Sequence, residues 1–149
     1  MTVRAWFTIS AVLLVALAGS SLFWFLRPAE PPALSASVPE ARLEGSLVRS
    51  CWPQRGGELR CESREAPSPA GAPVIARSGD IRVVALLPVQ PERGTTRIVE
   101  ARTRRTVAAT RSWQERVPYE LEAGTWVLEA EARFPDGAYV RYAFPFRTR

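Results

Sequence analysis

The stretch Thr125-Trp126-Val127-Leu128-Glu129-Ala130-Glu131-Ala132-Arg133-Phe134 alternates without a break. Trp126, Leu128, Ala130, Ala132 and Phe134 fall on one side of an extended chain, and Val127, Glu129, Glu131 and Arg133 on the other. Successive strand side chains point to opposite faces, so this pattern predicts a half-buried β-strand with its charges turned to solvent. Pro135-Asp136-Gly137 supplies a turn, and the segment from Ala138 to Arg147 resumes the alternation with Val140, Tyr142, Phe144 and Phe146 on one face. Tyr139, Arg141 and Arg147 take the other face. Trp126 is expected to bury against Phe144 or Tyr142. Glu129 and Glu131 are expected on the exposed face, where charge is the default.

Further strands are read outward from this hairpin. Asp80-Ile81-Arg82-Val83-Val84-Ala85-Leu86-Leu87 is an apolar run closed by Pro88, the pattern of a central strand. Thr95 to Ala101 and Thr106 to Arg111 form a second pair around Arg102-Thr103-Arg104-Arg105, and Leu43 to Cys51 with Glu58 to Cys61 form an opening hairpin. About seven short strands separated by turns predict an all-β, immunoglobulin-like two-sheet sandwich over residues 43–149, a size that buries its own core. Glu65 to Pro73, with three prolines and Gly71, reads as a loop within it.

The N-terminal part has a different character. Ala5 to Leu26 carries no charge, and Arg4 and Arg27 bracket it. A helix over 5–26 would span roughly 33 Å, about the hydrocarbon thickness of a bilayer. Trp6 and Trp24 sit near its ends, as interfacial anchors do. The rival is a cleaved signal peptide, with Phe7 to Val15 as its apolar region and Ala16-Leu17-Ala18 as the cleavage site. Continuation of the apolar run through Leu22-Phe23-Trp24-Phe25-Leu26 favours an uncleaved anchor, and no cysteine stands where a lipoprotein would need one. Ala16, Ala18, Gly19, Ser20 and Ser21 offer a small-residue face for helix packing. Residues 1–4 then form a short cytoplasmic end. Four prolines between Pro28 and Pro39 make 27–42 a semi-rigid spacer.

Cys51 and Cys61 are the two cysteines, placed symmetrically about Gly56 of the turn Gly56-Gly57. A hairpin folded there sets the sulfurs opposite each other, and one close pair without histidine cannot complete a four-ligand zinc site. A disulfide is expected, and with it an oxidising compartment. Charge flanking the helix is nearly balanced, so orientation rests on this bond: N-terminus cytoplasmic, domain periplasmic, in a bacterial inner membrane. The alternative is a pair of structural thiols in a cytoplasmic domain. All 20 basic residues are Arg, with Lys, His and Asn absent, a bias of GC-rich bacterial genomes, and the formal charge is +5.

Leu121-Glu122-Ala123-Gly124-Thr125-Trp126, running into the alternating strand and closed by Pro135-Asp136-Gly137, resembles the penultimate-strand signature of bacterial immunoglobulin-like and fibronectin-like domains. It is also similar to the end of the copper-associated, membrane-anchored sandwich families of the FixH and YtkA-like type. That second resemblance would imply copper held by His or clustered Met, whereas this chain has no His and Met1 alone. No metal or cofactor ligand set is therefore expected.

Catalytic chemistry is tested by subtraction. Without His or Lys, neither a serine–histidine–aspartate triad nor a serine–lysine dyad can be assembled from this chain, and disulfide-bonded cysteines are not nucleophiles. Asp80 and Asp136 fall at expected turns, and a carboxylate pair from Glu129 and Glu131 is weighed against ordinary exposed charge. An enzyme is not expected. The remaining feature is Arg97, Arg102, Arg104, Arg105, Arg111 and Arg116, countered in that span by Glu100 and Glu115. Its functional reading is contact with an acidic partner or anionic lipid headgroups; the plain one is a solvated face in a chain that uses Arg for every cation. Nucleic acid is not expected, because the aromatics lie on core faces. The expected function is a non-catalytic, single-pass accessory or scaffold subunit whose sandwich docks on a membrane-complex partner. The alternative is a monomeric periplasmic module binding a ligand or assembly factor.

Overall fold

The computed structural model describes residues 30–54, 56–85, 90–113 and 115–149. The expected membrane helix over 5–26 lies outside them; among the described residues no helix is long and apolar enough to cross a membrane. The described chain is all β. Its strands are β1 (Ser35–Val38), β2 (Ala41–Glu44), β3 (Ser46–Pro53), β4 (Leu59–Ser63), β5 (Val74–Ile75), β6 (Ser78–Val84), β7 (Arg93–Glu100), β8 (Thr106–Thr110), β9 (Val117–Glu120), β10 (Gly124–Arg133) and β11 (Tyr139–Thr148). They form a four-stranded sheet in the order β2-β1-β6-β9 and a larger one in the order β4-β3-β11-β10-β7-β8, with β5 pairing parallel to β11. This two-sheet sandwich is compatible with an immunoglobulin-like fold.

The β10–β11 hairpin forms where the alternation places it. Its turn is closed by Phe134 N–H donating to the Ala138 carbonyl at 2.9 Å and by the Ala138 amide donating to the Asp136 carboxylate at 3.1 Å. Register then follows from the turn: Trp126 lies opposite Phe146, Leu128 opposite Phe144 and Ala130 opposite Tyr142. Phe146 is thus the directly opposed residue and Phe144, one of the two expected neighbours, is diagonal to Trp126 in the same core, because alternation specifies the face and turn geometry the register. Trp126 is buried at the rim of the core, where its indole N–H donates to Thr148 Oγ1 at 3.0 Å.

The core lies between the sheets. Ala36, Leu43, Ile81, Val83, Val117 and Tyr119 from the smaller sheet join Leu128, Ala130, Val140, Tyr142, Phe144 and Phe146 from the larger. Trp52 meets Phe134 edge-on, with centroids 5.5 Å apart. Leu34, Ala36 and Val38 belong to this core, so the folded unit begins inside the segment read as a spacer. β1 and β2 are four residues each around Pro39-Glu40, too short to announce themselves by periodicity. β9 is likewise short, and Pro118 interrupts its pattern. Among the described residues the count is therefore eleven strands, not about seven.

β6 is internal to its sheet, but it alternates: Ile81 and Val83 face inward, while Arg82 and Val84 are exposed. Asp80, expected at a turn, is an exposed strand residue opposite Pro118. The β3–β4 hairpin forms, but its first strand begins at Ser46: Leu43 and Glu44, expected within it, belong to β2 of the smaller sheet. Gly56 and Gly57, at φ 108° and 85°, take backbone conformations that L side chains rarely adopt, and Cys51 pairs with Cys61 at a Cα separation of 3.9 Å in a disulfide.

Candidate functional site

The outer face of the larger sheet holds the densest polar arrangement in the described structure. Register places Glu129 of β10 opposite Arg97 of β7, and Glu131 of β10 opposite Arg141 of β11. Arg97 Nε and Nη2 each lie 2.7 Å from Glu129 Oε2, and Arg141 Nη2 lies 2.9 Å from Oε1. Arg104, from the turn between β7 and β8, also donates to Oε1. Glu131 is a looser member, 3.5 Å from Arg141 and 3.7 Å from Arg97.

Glu129 is only 2% exposed, so the expectation of a solvated carboxylate is wrong. Alternation specifies the face and leaves open what covers it. Arginine stems lie across the sheet and keep their heads half in water, roofing a residue that alternation alone would leave open. On the same face Val99, Val127 and Ala143 form a small second apolar cluster, with Val48 and Ala101 packed against it.

Burial by itself pushes the Glu129 carboxyl pKa up, but hydrogen bonds from Arg104, Arg97 and Arg141 outweigh it and hold the group below the usual carboxylate range. For Arg141, burial pulls downward and the Glu129 contact more than reverses it, so its pKa is raised. Both groups stay charged, and both Glu129 oxygens are occupied. The arrangement is an ionic brace across the sheet.

The brace fastens the β7–β8 turn. Arg104 is the one non-glycine among the described residues at positive φ, 62°, and its amide donates to the Glu100 carbonyl at 2.9 Å. That left-handed conformation costs about 1–2 kcal/mol for a residue with a side chain. The ion pair to Glu129 is the interaction that offsets it.

The six arginines singled out by sequence have different surroundings. Arg97 and Arg104 are turned onto Glu129. Arg102 and Arg105 are exposed on the turn before β8, and Arg111 is exposed directly after it. Arg116 approaches Asp80 at 3.9 Å beside the smaller sheet. Sequence reading missed Glu129 and Arg141 as partners, although the hairpin pattern contained the Glu131–Arg141 pairing that points to them.

Away from the brace residues, an open groove of about 1090 Å³ is lined by Arg82, Val84, Glu92, Arg93, Arg111 and Trp113. Trp113 docks because Gly94 has no side chain: a Cβ there would stand 2.6 Å from the indole Cδ1. Among the described residues no group of three His, Cys, Asp or Glu side chains could hold a metal ion. No family model, no curated protein and no solved structure matches the chain.

Proposed function

We propose that this protein is a non-catalytic accessory subunit, tethered by its N-terminal helix, whose exported immunoglobulin-like sandwich docks on a partner in a membrane complex. The strand order supports the finer fold assignment: β6 pairs with β9 in one sheet, and β11-β10-β7-β8 run in the other with β5 parallel beside β11. On that reading the β3–β4 hairpin and β2 are additions to the basic sandwich. The Cys51–Cys61 disulfide supports an oxidising compartment for the domain.

The observation that carries the docking role is the braced cationic turn. Arg102 and Arg105 are exposed on a hairpin that Arg104 pins to buried Glu129. A pre-ordered turn loses little conformational entropy when a partner engages it, which favours binding. The groove beside Trp113 favours the second reading, a ligand-binding module working as a monomer. Solubilisation of the full chain in mild detergent, followed by sizing and cross-linking, separates the two. A stable complex that weakens on Arg102→Glu/Arg105→Glu is expected; a chain that runs alone refutes the docking reading.

A further inference from the structure

Besides the two-residue β5, which pairs only with β11, the two sheets end among the described residues in four outermost strands, and three of these carry features that discourage pairing with another chain. β2 is short and holds Arg42 and Glu44. β9 contains Pro118, which has no N–H to offer. β4 carries Arg60 and Glu62, paired at 3.0 Å, and is tied to β3 by the disulfide. β8 is the exception. Its sequence Thr106-Val107-Ala108-Ala109-Thr110 has no charge and no proline, its side chains are exposed or half-buried, and Val107 is 39% exposed. One side of β8 pairs with β7; among the described residues no strand pairs with the other.

The charges around this edge select its occupant. Arg102 and Arg105 stand before β8 and Arg111 after it, each exposed and without an ion pair among the described residues. A second copy is disfavoured, because antiparallel self-pairing centred on Ala108 would set Arg105 of each copy opposite Arg111 of the other. A protein segment with acidic residues at both ends meets opposite charge at both ends.

Building on the docking role proposed above, we infer that β8 is the docking edge, and that the partner adds an extended segment of alternating small or β-branched residues, flanked by carboxylates, as a further strand of the larger sheet. Main-chain hydrogen bonds supply the affinity, and the arginines set the register and exclude basic or neutral segments.

The test uses the full chain in detergent and a fluorescent synthetic peptide of alternating threonine and valine with glutamates at both ends. Binding should protect the β8 amides from hydrogen exchange. It should weaken roughly ten-fold on Arg102→Glu/Arg105→Glu/Arg111→Glu, as expected for three exposed charge pairs, and be lost when alternate peptide amides are N-methylated. A lysine-ended peptide should bind the charge-reversed variant in preference to the wild type. Equal binding of the N-methylated peptide, or protection outside β8, overturns the inference. So does binding to phosphatidylglycerol vesicles through the same arginines with β8 amides unprotected, or dimerisation through β8 without peptide. If a detergent-stable complex survives the triple reversal, the docking role stands and the β8 assignment falls. If the chain runs alone but the peptide behaves as described, the edge assignment stands and the docking role falls.

Discussion

Replacing Glu129 tests the brace most directly. Its side chain is 3% exposed, and three guanidinium groups converge on its two oxygens. Glu129→Ala leaves those cations facing one another over a small cavity. Breaking a fully buried ion pair costs about 3–5 kcal/mol. Here Arg97, Arg104 and Arg141 retain 42%, 50% and 28% exposure and can turn to water, so we expect about 2–3 kcal/mol after that discount. That is a large share of a domain stability of about 5–15 kcal/mol. Glu129→Gln keeps the shape and two hydrogen-bonding positions, and should cost less. The pH dependence has a definite sign. A carboxyl held below its ordinary 4.5 in the folded state stabilises the fold above that pH, and the contribution is lost as pH falls through the lowered folded pKa. Thermal unfolding of the full chain in detergent, followed by near-ultraviolet circular dichroism from neutral to acidic pH, measures both effects. The gap between wild type and Glu129→Gln should narrow in acid. A Glu129→Ala variant within about 0.5 kcal/mol of wild type at neutral pH, the usual range for an exposed substitution, would refute the brace.

The other predictions concern the core, the turn and the disulfide. Trp126→Ala should cost about 3–5 kcal/mol, and Thr148→Val a smaller amount through loss of the indole acceptor; tolerance of Trp126→Ala in the same unfolding assay would mean that the aromatic face serves a partner instead of a core. Arg104→Gly should be more stable than Arg104→Ala by about 1 kcal/mol, since both lose the ion pair and only glycine relieves the positive φ; equal stability of the two sinks the strain argument. Mass spectrometry of the unreduced chain should show a two-proton deficit at Cys51 and Cys61, and opening this small loop should cost about 2–3 kcal/mol; two alkylatable thiols in freshly purified protein contradict both statements.

Much of the architecture is legible in local pattern. Alternation along β10 and β11, turn residues at Pro135-Asp136-Gly137 and Gly56-Gly57, and the placement of Cys51 and Cys61 specify two hairpins before any long-range contact is known. These features depend on period-two geometry and turn chemistry, which act over a few residues and therefore leave a mark in sequence. β1, β2 and β9 leave almost none, because strands of four residues become strands through their partners in the sheet.

Glu129 marks the boundary between the two kinds of information. Its position on the face opposite the core follows from alternation along residues 125–134. Its burial follows from Arg97, Arg104 and Arg141, which reach it from three separate places in the chain. Likewise, composition shows that arginine is abundant between residues 97 and 116, but only strand pairing decides which cations are consumed internally and which flank an open edge. Sequence periodicity specifies the direction in which a side chain leaves the backbone. What that side chain meets there depends on contacts between distant segments, and those exist only once the sheets have assembled.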